Sequence, residues 1–142
     1  MRLRYGLSPL QSKVLGISRI AIGFLFWVHG AQKLFGWFGG FGEAGTAELM
    51  SRFGAAGLIE FVGGLLIILG LFTVPAALIA SGEMAVAYFW MHAPRGSLFH
   101  WENGGEKVAF YAFFFLLLAA LGAGAFSIDG AMRRRKEEGS PG

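Results

Sequence analysis

Four long apolar runs, at about 14–35, 55–72, 73–92 and 105–126, leave this chain few ways to fold. A helix needs about 20 apolar residues to cross a hydrocarbon core of about 30 Å, and about 17 suffice at a minimum. The apolar residues come in blocks, not in amphipathic stripes. Of 142 residues, 55% are hydrophobic and 15% charged, which sets the chain apart from soluble globular proteins. The length suits a single domain. Gly70 ends the second run and Thr73-Val74-Pro75 opens the third. Proline is welcome in a first helical turn, so these two runs read as a tight helical hairpin. The expected fold is an all-α membrane protein, a four-transmembrane-helix bundle.

Charge sets the expected orientation. Arg2, Arg4 and Lys13 precede the first span, and Arg133, Arg134, Arg135 and Lys136 follow the fourth. The loop after span one offers only Arg52, and the loop after span three offers Arg95, with Lys107 at its border. By the positive-inside rule both termini are expected to be cytoplasmic, and four spans are consistent with both ends on one side. The net charge of +3 therefore reads as a topology signal and not as a nucleic-acid signal. The basic tail could also touch anionic headgroups. Residues 1–13 form a cytoplasmic or interfacial segment containing Pro9. Residues 14–126 form the transmembrane domain, and 127–142 a basic cytoplasmic tail whose end, 137–142, reads as disordered. The first run is longer than a signal-peptide core of about 7–15 residues and no small-x-small site follows, so no cleaved signal is expected.

Both outer loops have character. The first, 36–54, is glycine-rich, and its Trp37, Phe38 and Phe41 suit the aromatic belt at a membrane surface. Thr46 to Phe53 has the composition for one or two interfacial helical turns. The second, 91–106, carries His92, His100, Trp101 and Asn103. The absence of cysteine rules out disulfides, thiolate metal sites and cysteine redox chemistry in this chain.

Ionisable residues inside the spans point to function. Arg19, His29 and Lys33 lie in span one, Glu60 in span two, Glu83 in span three, and Glu106 and Lys107 open span four. A charge at the bilayer centre costs at least ~2.5–3.5 kcal/mol, so such residues face a protein interior or a wet cavity. At ~1.5 Å per residue, His29, Lys33 and Glu60 share a level near the outer surface. They are expected to cluster there with Glu106, while Arg19 and Glu83 form a deeper pair. Arg19, Gly23, Phe26, Gly30 and Lys33 share one helical stripe with His29 at its flank, and Gly57, Glu60, Gly63 and Gly64 share another. Small residues let membrane helices approach closely, so the polar faces are also the packing faces.

Plainer readings stand beside these. Arg19 and Lys33 could snorkel to headgroups. His29 could bridge two helices, and Phe113, Phe114 and Phe115 could pack or face lipid. Haem would want paired histidines such as His29 and His92, and zinc a set such as His92, His100 and Glu102. Neither spacing supports a metal, and none is assigned.

Three stretches resemble the DoxX family of small bacterial four-helix membrane proteins. Arg19-x-x-x-Gly23 followed by His29-Gly30-x-x-Lys33-x-x-Gly36 is similar to its amino-terminal pattern. Glu60-x-x-Gly63-Gly64-Leu65 running to Gly70-Leu71-x-Thr73 is similar to its second-span pattern. Gly122-x-Gly124-x-x-Ser127-x-Asp129 is similar to its closing motif, with Ala123 where proline is usual. Asn103 also fits. The resemblance covers about 14–130 and implies a multi-pass protein of the bacterial inner (plasma) membrane. Members are associated with quinone-linked oxidoreductases and with membrane complexes handling thiol and oxidative stress, though many have no established reaction. The implied function is a membrane subunit of a quinone-linked redox complex. His29 or Lys33 would donate to a quinone carbonyl, Glu60 or Glu83 would handle protons, and Phe26, Trp27 and Trp90 would wall the pocket. No covalently held cofactor is implied, and electrons would come from other membrane or peripheral subunits. Association with further copies of the chain is compatible with this. The alternatives are a non-catalytic accessory subunit with glycine-rich packing faces and, more remotely, a small transporter using Glu83, which no broken helix signals.

Overall fold

The structure, a computed structural model, describes residues 6–43 and 45–139 apart from the side chain of His100. Arg2 and Arg4 of the amino-terminal basic group and residues 140–142 of the tail lie outside the described residues. Helix α1 spans Pro9–Phe35. Ser8 caps it in a reciprocal box with Gln11, and Pro9 takes the first helical position, where its missing N–H goes unnoticed. The segment expected to lie apart from span one is thus, from Pro9 onward, its first turn. With 27 residues α1 is about 40 Å long, enough to cross and project. Gly36, at φ 69°, closes it in the left-handed region that glycine enters freely.

Helix α2 spans Arg52–Leu69. Ser51 caps it by accepting from the Gly54 amide, and the expected interfacial turns over 46–53 do not form, since bends and turns run as far as Ser51. At its other end Gly70 donates to Ile67 and Leu71 donates to Leu66, a double closure that turns the chain sharply. Helix α3, Thr73–Ala87, follows directly with Pro75 in its first turn. It continues through a π-turn at Tyr88–His92 and a 3₁₀ turn at Ala93–Arg95. The short α4, His100–Asn103, leads to α5, Glu106–Leu121. Helix α5 stops at Leu121, not at 126, because Gly122 and Gly124 leave helical backbone. Within the described residues the tail is helical: α6, Ile128–Glu138, is capped by Ser127.

The described residues contain no strand. Pro9–Phe35, Arg52–Leu69 and the continuous Thr73–Arg95 are long and apolar enough to cross a membrane. Helix α1 packs on α2, α3 on α5, and α2 meets α3 beyond their hairpin. Phe26, Ile67, Ala77, Ala80, Phe115 and Leu118 form the core where they converge. The outward faces carry large apolar residues such as Leu25, Leu58, Ile79, Phe113 and Leu117, an outside that suits lipid.

Candidate functional site

The helices gather polar residues at two opposite ends. At the first, Arg19 is fully buried and donates to the connection between α5 and α6, at the carbonyls of Ala123, Ala125 (3.1 Å) and Phe126 (2.8 Å), and at a longer 3.5 Å to Ile68 in the last turn of α2. Buried carbonyls outside a helix have no ladder amide to accept from, so the guanidinium supplies the donors that this connection lacks. The expected Arg19–Glu83 pair does not exist, because Arg19 lies at the level of the α2–α3 turn, where backbone carbonyls take up its two terminal nitrogens while its Nε stays buried without a partner. Asp129 completes this knot. Its carboxylate accepts from the amides of Phe72 (3.0 Å) and Thr73 (2.9 Å), the first donors of α3, a helix whose own N-cap residue offers no side chain. Burial works against the Asp129 charge, but those amides and the charge of Arg19 outweigh it and hold its carboxyl below the usual range. A Cβ on Gly16 would run into the Ala125 carbonyl, and one on Gly70 into Ser127, so glycine is what lets these segments touch.

At the opposite end lies a half-open cavity of about 530 Å³. Helix α1 contributes Phe26, His29 and Lys33; α2 contributes Phe53, Ile59 and Glu60; α3 with its π-turn contributes Glu83, Met84, Trp90 and His92; and α5 contributes Lys107, Val108 and Tyr111. The Lys33 ammonium lies 2.6 and 2.7 Å from the two oxygens of Glu60, a forked ion pair with Glu60 only 2% exposed. Glu83 feels the charges of both, yet its Oε2 is buried without a hydrogen-bond partner. His29 sits 3.3 Å from Gln32 Oε1 and edge-on to the Tyr111 ring. Arg52 and Arg95 also line the space.

Asn103 shapes the wall beside it. Buried at 4% exposure, it donates to the Ser97 carbonyl and the Tyr88 hydroxyl and accepts from the Gly105 amide, while Tyr88 donates to Leu98. This ties the 96–105 loop to the π-turn, a helix irregularity often found at functional sites. Gly105 has the Tyr88 ring where a Cβ would stand.

Three of the four residues expected to cluster, His29, Lys33 and Glu60, share this cavity, and Glu83, expected to pair with Arg19, lines it as well. Lys33 and Glu60 meet, and Phe26 and Trp90 wall the space. Glu106 does not join: it is exposed on the first turn of α5, where a negative charge suits the helix dipole. Trp27 does not line the cavity; it packs on Gly64, stacks on Phe24 and meets Trp37, Phe38 and Phe61 at tilted or edge-on angles. Tyr111 escaped the sequence reading, although its place four residues after Lys107 put both on one face of α5. Of the motif glycines, Gly23, Gly30 and Gly64 sit where helix meets helix, Gly36 caps α1, and Gly63 faces open space. The described residues hold no group of three or more metal-ligating side chains.

Apolar helices closed on one another through glycines, with a forked ion pair buried at one end, define a small helical membrane protein with a polar-floored cavity. The chain belongs to the DoxX family, whose model matches residues 14–93. It is 43% identical over 121 residues to an uncharacterized protein of Haemophilus influenzae, covering 81% of this chain and 87% of that one. It is 30% identical over 131 residues to the inner membrane protein YqjF of Escherichia coli, covering 84% and 92%. No solved structure matches.

Proposed function

We propose that this chain is a four-span inner-membrane protein whose cavity binds the headgroup of a quinone for a redox complex. Helix α5 starts beside the cavity and ends at the Arg19 knot, where Ala125 donates to Ser12 of α1 at 2.9 Å. That path supports a fourth crossing, although α5 has only 16 residues. It brings the start of α1 and all of α6 to one end, whose basic residues favour the cytoplasm. The name of the Escherichia coli relative supports the inner membrane.

The observation that carries the reading is the cavity floor: an apolar chamber containing a satisfied ion pair next to a carboxyl with a free, buried oxygen. Pockets for small organic ligands are mostly apolar with a few fixed polar groups. A quinone ring fits between Phe26, Trp90 and Tyr111, with one carbonyl accepting from Lys33 or His29. Reduction of a quinone to a quinol takes up two electrons and two protons. The electrons would come from a partner redox subunit; one proton would pass from the Glu83 carboxyl to one carbonyl oxygen, and the second would reach the other oxygen from water at the cavity mouth, with Glu83 reprotonated from the same water. The accessory-subunit reading loses one support, because Gly16, Gly30, Gly57 and Gly64 are occupied within the chain.

Gentle purification followed by lipid extraction tests this. Quinone should co-purify with the wild type and fall sharply with His29→Ala and with Glu83→Gln. A wild type that carries no quinone and is not stabilised by added quinone refutes the reading.

A further inference from the structure

We infer that α6 and the end of α2 form a binding site for the phosphate headgroup of an anionic phospholipid, at the end of the molecule opposite the cavity. The tail is an amphipathic helix and not a loose basic string. At 100° per residue Ile128, Ala131, Met132 and Arg135 fall on one face, with Arg134 at its edge. That face borders a groove of about 620 Å³ whose other walls are Leu69 and Phe126. The groove is therefore apolar along its length and cationic at one lip, the pattern that receives acyl chains and an anionic headgroup together.

Two further features support it. The helix cannot swing away, since Ser127 caps it, Asp129 is bonded to the first amides of α3, and the Asp129 amide donates to Gly70 at 2.9 Å. Among the described residues no carboxylate forms an ion pair with Arg134 or Arg135. Phe72 and Phe126 flank this end with φ of 49° and 56°, a backbone region unfavourable for bulky residues, and their rings are 61% and 62% exposed. Exposed Phe side chains beside a basic helix suit the boundary between headgroups and acyl chains, where interfacial helices bury their apolar faces, and the groove then lies at that boundary.

The test uses the full chain in detergent micelles, with its thermal midpoint followed during titration with phosphatidylglycerol, phosphatidylcholine or inorganic phosphate. Phosphatidylglycerol should raise the midpoint, and the other two should leave it unmoved. Arg134→Gln with Arg135→Gln should weaken the apparent lipid affinity roughly 30-fold. Arg133→Gln with Lys136→Gln, which removes equal charge from side chains that do not line the groove, should leave it nearly intact. Equal loss in both double variants would mean diffuse attraction and overturn the site. So would an equal response to phosphatidylcholine, which makes it merely apolar, or to inorganic phosphate, which makes it an ion site only.

Discussion

Replacing Lys33 with methionine tests whether the cavity floor is a buried ion pair in energy as well as in geometry. The side chain of Lys33 is 16% exposed and that of Glu60 3%, with the ammonium bridging both oxygens at 2.6 and 2.7 Å. At such a separation the gross Coulomb attraction is about 6 kcal/mol for an effective dielectric of about 20, most of which offsets desolvation. What a single substitution exposes is the uncompensated charge. Methionine keeps the volume and leaves the Glu60 carboxylate without its partner, so Lys33→Met should destabilise by about 3–5 kcal/mol. Glu60→Gln should be milder, about 1–3 kcal/mol, because an amide oxygen still accepts from Lys33. The double variant removes both charges and should recover part of the loss, giving a coupling of about 1–3 kcal/mol. Reversible unfolding in mixed micelles of rising dodecyl sulfate content, followed by circular dichroism, measures all four corners of this cycle. Single losses under about 1 kcal/mol that add within about 0.5 kcal/mol would refute the reasoning, since a desolvated pair cannot be additive.

Other expectations follow from the same geometry. A Cβ on Gly30 would collide with the backbone of Phe61, so Gly30→Ala should destabilise by about 1–3 kcal/mol in the same unfolding assay. Gly63 has open space around it, and Gly63→Ala should instead stabilise by about 0.5–1 kcal/mol through helix propensity. Loss of the cap that Asp129 places on α3 should make Asp129→Ala about 0.5–2 kcal/mol less stable at neutral pH. Because the folded-state pKa of Asp129 is depressed, its contribution is complete above the usual carboxylate value near 4 and fades as pH falls below it. Unfolding curves of wild type and variant should therefore converge in that acidic window, and a constant gap would refute the assignment. Arg19→Lys should lower stability markedly despite the retained charge, since one ammonium cannot match a fork reaching several carbonyls; an unchanged midpoint would show that those bonds contribute nothing.

Much of this was legible along the chain because lipid imposes simple rules. Length and apolarity announce a crossing helix, and a charge inside one must find a partner. Of the stripe Arg19, Gly23, Phe26, Gly30 and Lys33, the first four are buried as helical periodicity requires and Lys33 is half-buried at the cavity. The Lys33–Glu60 pair followed from equal depth on adjacent spans. Depth fails where backbone competes with side chains. Arg19 reads as a cation in need of an anion, but carbonyls of the connection after α5 take up its two terminal nitrogens, and periodicity does not reveal them. Glu106 was assigned by level alone, and level says nothing about which way a first-turn residue points. The tail looked loose because charged composition hides a helix held by Ser127 and Asp129.

The sequence by itself determined the helices, their apolar surfaces and the family, because each rests on local pattern or on motifs at fixed spacing. Tertiary structure decided how the motifs divide. Arg19, Gly70, Ser127 and Asp129 come from distant segments and converge on one knot of helix ends. Lys33 and Glu60 converge at the other end, and with Glu83 and Asn103 they build and shape the cavity. Only packing could separate these roles, since a buried cation carries the same sequence signal whether it fastens a backbone or faces a ligand.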